Sequence, residues 1–495
     1  MKERINGSLN KSIYYVFGIV ITIILAAVVF VDKNMQYSLS CRLDTLLPNL
    51  ILLPLMLGVL AVVAFIWKKW LSKSKVRVFA EKHYYIILGI LSIVTLAGQL
   101  IFTQEIYFHP GWDASIVLGS ADKVCTGKEM IGTFYYYSQY TTNISIVYIL
   151  AHLQKIAYEL GWDPYRHLFC ALADCFLINL AGLFTALSVK RLTGKKMLSY
   201  LSYLVFILLI GVNPWTVVPY TDTYSILFPI LTFYFYLCYE QTDKKIAKIF
   251  LWLAMNLAGG LGYIIKPSAV IVLIAVWVYE IVITIRFQKG WWKRLLANVG
   301  VAVIAFLCIY GIRLHMIHYT GAILNEDIQI SFTHYLMMGL NEENTGSYLS
   351  TDYQITSSFP DVESRTKGNL EEAVRRIKEL GFFGFLKFEL QKLLVNFNDG
   401  TFCWGREGGF ILGESPTATS LMSQRLKRLF YFGTDWYPVY ATYAQSIWLL
   451  VLSALTGLPF IKRIKEEEKQ KHGFGVLLIS LLGIILFVTL FEARA

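Results

Sequence analysis

Charged side chains are scarce in this sequence, and their scarcity excludes whole classes of protein. Asp, Glu, Lys and Arg make up only 16% of the 495 residues, whereas about 25% is usual in soluble domains. A soluble chain of this length would form about two to four domains with charged surfaces. Hydrophobic residues instead make up 56%, and apolar runs of roughly 18 residues or more recur. We therefore exclude a soluble enzyme and a disordered chain and predict an all-α polytopic membrane protein.

Several signatures of common enzymes are also missing. The seven cysteines include no Cys-x-x-Cys pair, and their odd number argues against a full disulfide framework. The sequence has no Walker A loop, no His-Glu-x-x-His and no Gly-x-Ser-x-Gly, so it does not support a nucleotide hydrolase, a zinc protease or a serine hydrolase. No clear cleavage site follows the first apolar run, so we predict a span there rather than a cleavable signal peptide.

The apolar runs predict about eleven transmembrane helices. They cover residues 12–31, 45–67, 84–104, 168–189, 197–212, 224–239, 249–265, 268–285, 296–312, 436–460 and 474–491. This pattern divides the chain into five segments. They are N-terminal spans (1–104), a first extracytoplasmic loop (105–167), a transmembrane bundle (168–314), a large extracytoplasmic segment (315–435) and C-terminal spans (436–495).

Lysine and arginine collect in alternate loops, which predicts an orientation. With the N-terminus in the cytoplasm, every inward loop carries a basic cluster, within 68–82, 190–196, 244–248, 286–294 and 462–471. The outward loop 214–223 contains no Lys or Arg. This is the positive-inside distribution of a multi-pass protein of the cell membrane. It also accounts for the net charge of +11, so we predict no nucleic-acid partner.

The segment 143–160 has the spacing of an amphipathic helix. Apolar side chains occupy one face, and the other face carries His152, Gln154, Lys155 and Glu159. A charge at mid-bilayer costs about 2.5–3.5 kcal/mol, and a span here would place the later basic loops outside. We therefore predict a helix that lies in the outer membrane interface.

The large outward segment contains a second helical pattern. Asn369 followed by Glu372 is a variant of the capping box, so a helix is predicted to begin at Asn369 and to end at Gly381. The run 382–394 is too apolar for a free aqueous helix, and its two lysines argue against a span. It predicts a second interfacial helix.

The first candidate for chemistry is an aspartate just outside the third span. Asp113 ends the stretch His109-Pro-Gly-Trp112-Asp113, in which Pro-Gly bends the backbone. A carboxylate at the membrane surface can act as a general base, and it is also a candidate ligand for a divalent metal, Mg²⁺ or Mn²⁺. The alternative is that Asp113 only caps a helix predicted over 114–123.

Other polar residues end on the same predicted face. Asp222 follows Tyr220 in the loop 214–223, and its alternative is again an N-cap. Lys266 and Arg313 lie at outer span ends, where a cation meets lipid phosphate; the alternative for each is a snorkelling side chain. Glu492 and Arg494 follow the last span, with interfacial anchoring as the alternative.

The prediction that these residues share one membrane face is a stronger indication of a reaction centre than any single residue. Carboxylates and cations from separate spans end on one membrane face. Cations can hold a phosphate while a carboxylate activates a hydroxyl. These are the groups needed to move a chemical group from a phosphorylated lipid to an acceptor.

The pattern resembles the GT-C superfamily of integral-membrane glycosyltransferases, most closely its bacterial protein O-mannosyltransferase-like and aminoarabinose-transferase-like branch. Asp113 matches the acidic residue of that family's first outward loop. The stretch Tyr137–Asn143 is similar to the aromatic continuation of that loop, although Gln139 and Thr141 depart from the pattern.

The later motifs extend the resemblance over most of the chain. The loop Tyr220–Thr223 is similar to the family's second acidic loop, and Lys266-Pro267 resembles a recurrent basic turn. Glu492-Ala-Arg494 resembles a late motif that normally continues further, so we expect the chain to be truncated there relative to the family.

The resemblance implies an inverting transfer of a sugar from a polyprenyl-phosphate donor to a glycan, lipid or protein acceptor on the outer face. Asp113 would be the catalytic carboxylate, and Asp222 would position the acceptor or a metal. The donor phosphate would be bound by Lys266, Arg313 and Arg494. The acceptor or supporting residues would be His109, Trp112, Tyr140, Asn143, Tyr220 and Glu492.

Two other functions stay open. A polysaccharide polymerase or ligase also acts outside on lipid-linked sugars, but it uses a diphosphate-linked oligosaccharide. A flippase for lipid-linked sugars would place polar groups near mid-membrane, and the spans offer only Asp174, Asn179 and Asn256 with Gly259-Gly260.

Overall fold

The computed structural model of the protein describes residues 2–30, 44–71, 74–128, 130, 134–285, 290–407, 411–414, 419–458, 468–491 and 493. Helices make up most of these ranges. In chain order they are α1 (Lys2–Phe30), α2 (Asn49–Ile66), α3 (Lys75–Lys82), α4 (Tyr84–Ile106), α5 (Trp112–Cys125), α6 (Phe134–Gln139), α7 (Asn143–Glu159), α8 (Arg166–Thr193), α9 (Lys196–Phe206), α10 (Thr221–Ser225), α11 (Leu227–Gln241), α12 (Lys245–Ile265), α13 (Ile271–Tyr279), α14 (Trp291–Thr320), α15 (Phe332–Met338), α16 (Ser350–Ser357), α17 (Val362–Phe397), α18 (Trp404–Glu407), α19 (Leu421–Phe430), α20 (Tyr437–Gly457) and α21 (Glu468–Leu490).

Eight helical stretches within the described residues are long and apolar enough to cross a membrane. They are Lys11–Phe30, Asn49–Lys69, Tyr84–Ile106, Asp163–Thr193, Lys245–Ile265, Trp291–Thr320, Tyr437–Gly457 and His472–Leu490. Each coincides with a predicted span. The prediction of an all-α polytopic membrane protein is therefore confirmed.

The other three predicted spans, 197–212, 224–239 and 268–285, fall on shorter helices. Two of these are the apolar stretches Lys196–Gly211 and Pro267–Val282. The third is α11, which has 15 residues. At 1.5 Å per residue α11 is about 22 Å long, whereas the hydrocarbon core of a bilayer is about 30 Å thick. The predicted count of eleven is not confirmed for this reason.

Polar side chains inside the bundle connect its helices. The Asn179 amide on α8 donates a hydrogen bond to Gln99 Oε1 on α4 (3.2 Å), and Gln99 donates to the carbonyl of Gly211 (3.0 Å). Trp277 donates to Asn256 Oδ1 at 3.1 Å. A Cβ atom on Gly259 would lie 2.6 Å from the side chain of Leu273, so this glycine allows close packing. These residues act as interhelical contacts.

α7 packs against α5, α8 and α14, and the predicted helix at 143–160 is present. Its polar face is narrower than the sequence indicated. Gln154, predicted to be on that face, is wholly buried and donates to the carbonyl of Leu118 at 3.3 Å. That interhelical contact to α5 explains the difference, because the amide finds its partner inside the protein.

α17 contains the helix that was predicted from Asn369 to Gly381. Its start differs from that prediction, whereas the break at Gly381 agrees with it. The helix begins after Asp361, which caps it with a hydrogen bond from the backbone N–H of Ser364 (2.8 Å). Asn369 is therefore not the N-cap; it is buried inside the helix and accepts a hydrogen bond from Thr356 (3.0 Å). Gly381 has φ +61° and interrupts the helix where the prediction placed its end.

Two short strands complete the fold. β1 (Phe108–Pro110) and β2 (Ile411–Glu414) pair in antiparallel fashion, with His109 opposite Gly413. This pairing holds the segment before Asp113 against the far end of the large predicted outward segment.

Candidate functional site

Asp113 lies in the first turn of α5, after a strained backbone. Gly111 is the N-cap of α5, and no side chain caps it. Trp112 has φ +53°, in the left-handed region that bulky residues rarely adopt, and its side chain is 66% exposed. Asp113 thus lies inside the helix, and the alternative reading as an N-cap is wrong. Strained residues next to a polar group are common at functional sites.

The Asp113 carboxylate is the end of a hydrogen-bond network between three distant segments. Tyr220 Oη donates to Asp113 Oδ2 at 3.2 Å, across 107 positions of sequence. The Asn143 amide donates to Tyr220 Oη (3.2 Å) and to Tyr136 Oη (2.7 Å). The structure therefore brings together three of the predicted site residues, Asp113, Asn143 and Tyr220.

Tyr136 was missed by the sequence analysis. The signal was the run Tyr135-Tyr136-Tyr137 just before the aromatic stretch. Burial raises the pKa of Tyr136, and the nearby Tyr220 and Asp113 raise it further. The pKa of Tyr140 is raised by burial, then by Tyr335 and Asp113. Both phenols therefore stay protonated near neutral pH and present neutral hydroxyls near the carboxylate.

Asp222 and Lys266 bind each other. Asp222 lies in the first turn of α10, which is capped by Tyr220, and Lys266 follows the last residue of α12. Their side chains form a salt bridge. The structure thus places Asp222 two residues from the phenol that holds Asp113, with its charge balanced by Lys266. The alternative reading of Asp222 as an N-cap is wrong, because Tyr220 occupies that position.

Arg313 lies next to the aromatic stretch. Its guanidinium donates to Thr141 Oγ1 at 3.2 Å, across 172 positions. Thr141 directly follows Tyr140 and was named only as a departure from the family pattern. Arg313 makes no ion pair in the part of the chain that the structure describes. A neutral hydroxyl partner leaves its charge available for an anion.

His109 belongs to a neighbouring cluster. Its ring lies 5.9 Å from the ring of His167. His167 contacts Asp122 at 2.9 Å, and Arg166 donates to the same carboxylate at 2.6 Å. Burial, and then the proximity of His167, lowers the pKa of His109. His109 therefore supports the β1 region, and no direct contact joins it to Asp113 within the described residues.

Glu492 and Arg494 lie outside the described residues, so their predicted roles stay predictions. Ala493 between them is buried. Its N–H donates to the carbonyl of Gly346 (2.8 Å), and its carbonyl accepts from Ser347 (3.0 Å). Burial raises the pKa of Tyr140, and Tyr348, the residue after Ser347, is one of several neighbours that raise it further. The structure therefore places Ala493 against the segment that contains Gly346 and Ser347.

The residues around Asp113 do not fit the predicted metal. Among the described residues, no group of three or more His, Cys, Asp or Glu side chains could hold a metal ion. The groups nearest the carboxylate are phenols and an amide, whereas Mg²⁺ and Mn²⁺ favour several carboxylate or carbonyl oxygens. We derive no step through a metal.

Comparisons with known proteins place the chain at the level of a family. A search of the curated proteins and a search of the solved structures each found no match. The model of one family, described as "conserved hypothetical integral membrane protein", matches residues 5–494. Because that match covers nearly the whole sequence, the chain belongs to this family of conserved hypothetical integral membrane proteins.

Proposed function

We propose that the protein is a GT-C-like membrane glycosyltransferase that moves a sugar from a polyprenyl-phosphate donor to a cell-envelope acceptor on the outer face. The observation that carries the proposal is the contact of Tyr220 Oη with the Asp113 carboxylate. This contact joins the first outward loop of the predicted topology to the second acidic loop. A reaction centre built from both loops requires that the loops meet. They meet through Asp113 and Tyr220, two of the residues that the resemblance selects.

In this proposal Asp113 is the general base. Its carboxylate takes the proton of the acceptor hydroxyl, and the resulting oxygen attacks the anomeric carbon of the donor sugar. The bond from that carbon to the phosphate oxygen breaks, and the lipid phosphate leaves with the electron pair. Attack opposite the leaving group inverts the anomeric centre. The proton remains on Asp113 until water removes it.

Tyr220 and Asn143 orient the base. A single hydrogen bond from Tyr220 fixes one carboxylate oxygen, and the amide of Asn143 fixes the phenol in turn. Because Oδ2 is held by Tyr220, the orientation of the other carboxylate oxygen, Oδ1, is fixed as well. Positioning of this kind reduces the freedom that the reacting groups must lose on the way to the transition state.

Arg313 is the best candidate for the phosphate among the cations that the structure describes. Lys266 is already paired with Asp222, whereas Arg313 has a hydroxyl partner beside Tyr140. A guanidinium can form two parallel hydrogen bonds to a phosphate. Because Arg313 lies on α14, a candidate span, a lipid phosphate would reach it sideways from the bilayer.

The test combines an analysis of envelope glycans in cells with a transfer assay in membranes. Mass spectrometry of envelope glycans, with and without the gene, identifies the sugar that is transferred. Membranes containing wild type, Asp113→Asn or the control Asp163→Asn then receive that sugar on a polyprenyl monophosphate or on a diphosphate. We expect transfer only from the monophosphate, loss of transfer in Asp113→Asn, and normal transfer in the control, because Asp163 is half-exposed and pairs with Arg166 and not with the Asp113 network.

Two results would contradict the proposal. Transfer that continues in Asp113→Asn, at equal protein level in the membrane, removes Asp113 from the mechanism. Use of the diphosphate donor alone indicates a polymerase or ligase instead.

A further inference from the structure

Two histidines and two tyrosines form a compact cluster of rings between α7 and α14. We call Tyr148, His152, His315 and Tyr319 the ring cluster. The ring of His152 lies 4.3 Å from that of Tyr148 and is stacked on Tyr319 at 4.5 Å, with 27° between the planes. His315 lies 5.7 Å from Tyr148 and 6.2 Å from Tyr319. Each histidine is thus flanked by both tyrosines.

The ring nitrogens of the cluster retain hydrogen-bonding capacity. Nδ1 of His152 lies 2.8 Å from the carbonyl oxygen of Tyr148. A carbonyl can only accept, so Nδ1 carries the proton and Nε2 is left for another partner. In the described part of the chain, neither Nε2 of His152 nor the ring nitrogens of His315 have a hydrogen-bond partner.

Two basic residues lie near the ring cluster along its two helices. Arg313 precedes His315 by two residues on α14. On α7, Lys155 follows His152 by three residues. Neither of these two side chains makes an ion pair within the residues described. A cation bound between the tyrosine faces would be repelled by them, so the surroundings favour an anion.

The location indicates which anion would bind. His315 and Tyr319 lie in the last two turns of α14, a helix long and apolar enough to cross the membrane. The end of a span meets the headgroup layer, where aromatic rings and cations contact lipid phosphates. His315 and Tyr319 are exposed, and His152 is half-buried, so a headgroup can reach the ring cluster from the side.

We propose that the ring cluster binds a phosphate monoester, with His152 Nε2 and His315 as hydrogen-bond donors and the two tyrosine rings as walls. His315 donates through its ring N–H, and Nε2 of His152 takes the acidic proton of the monoester and donates it back as a hydrogen bond to the phosphate oxygen. This site is separate from the Asp113 network and does not depend on the transferase proposal.

Binding of defined probes to the purified full-length protein tests this site. Intrinsic tryptophan fluorescence in a neutral detergent is titrated with dodecyl phosphate, with inorganic phosphate and with an uncharged dodecyl polyether. The variants are His152→Phe with His315→Phe, the control His318→Phe, and Asp113→Asn. Phenylalanine keeps the ring packing and removes the nitrogens, so a change in affinity reports the hydrogen bonds and not the stacking.

We expect dodecyl phosphate to bind wild type, and the double variant to bind it about 10- to 100-fold more weakly. His318→Phe and Asp113→Asn should bind as wild type does. Competition by millimolar inorganic phosphate would identify free phosphate as a ligand, and its absence would identify the lipid headgroup. Equal affinity in the double variant and wild type, or equal binding of the uncharged polyether, overturns the proposal. Thermal melting of each variant establishes that it is folded.

Discussion

Replacement of Tyr220 by Phe tests whether Asp113 is positioned as the structure indicates. Tyr220 Oη donates to Asp113 and accepts from Asn143, and its ring packs beside two buried clusters around α5 and α8. Tyr220→Phe keeps that packing and removes both hydrogen bonds. A hydrogen bond to a charged group contributes about 1.5–3 kcal/mol.

That contribution converts directly into a rate. Each 1.36 kcal/mol of transition-state stabilisation is worth a factor of ten. If orientation of Asp113 matters mainly in the transition state, we expect kcat for sugar transfer to fall about 10- to 150-fold. The KM for the donor should change little, because the phenol does not touch the phosphate. Asp113→Asn should lower the rate further, by about 100- to 10,000-fold.

The assay measures initial rates of transfer from a polyprenyl-phosphate sugar by purified wild type and variants. Tyr158→Phe is the matched control, because Tyr158 is exposed at the far end of α7 and should stay within about twofold of wild type. A Tyr220→Phe rate that matches this control, while Asp113→Asn is inactive, would refute the positioning role. A raised KM with unchanged kcat would instead make Tyr220 a binding residue.

Three further predictions concern charge and packing. Asp222→Asn should lower the melting temperature only slightly, because an exposed salt bridge contributes about 0–1 kcal/mol; a loss of several degrees would contradict this. Lys392 is wholly buried and donates to the carbonyls of Gly339 (2.7 Å), Thr489 (2.5 Å) and Phe491 (2.8 Å). Lys392→Met should therefore lower the free energy of unfolding by about 3 kcal/mol in a thermal melt. The control Lys387→Met, at an exposed position, should not lower it. Burial lowers the pKa of His334 to about 4 from 6.5. As pH falls, His334 takes up a proton in the unfolded chain before it does so in the folded protein. The free energy of unfolding should therefore fall by up to about 3 kcal/mol as pH drops from 6.5 to 4. Melting curves should show a smaller fall in His334→Gln, and equal pH dependence in both proteins would contradict the assignment.

Local sequence patterns predicted the class of protein and the position of most helices. All eleven predicted spans fall on helices, because an apolar run must satisfy its backbone hydrogen bonds internally wherever it is buried. Gly381 was also predictable, since glycine adopts positive φ at little cost. The start of α17 was predicted wrongly at Asn369. Tertiary packing decided it, because Asn369 accepts a hydrogen bond from Thr356 inside the fold and Asp361 caps the helix.

In the candidate site, too, the sequence predicted individual residues and tertiary packing decided their contacts. Residue types selected Asp113 and the loop of Tyr220, and the resemblance to the GT-C superfamily selected Asn143, but no local pattern states that a phenol 107 residues away will reach a given carboxylate. Nor does it reveal that Lys266 is paired with Asp222 while Arg313 has only a hydroxyl. Sequence alone determined that this is a helical membrane protein with polar residues at its helix ends, because those properties follow from composition and period. Only the packing of distant helices decided which of those residues meet, because side-chain contacts depend on the path of the whole chain.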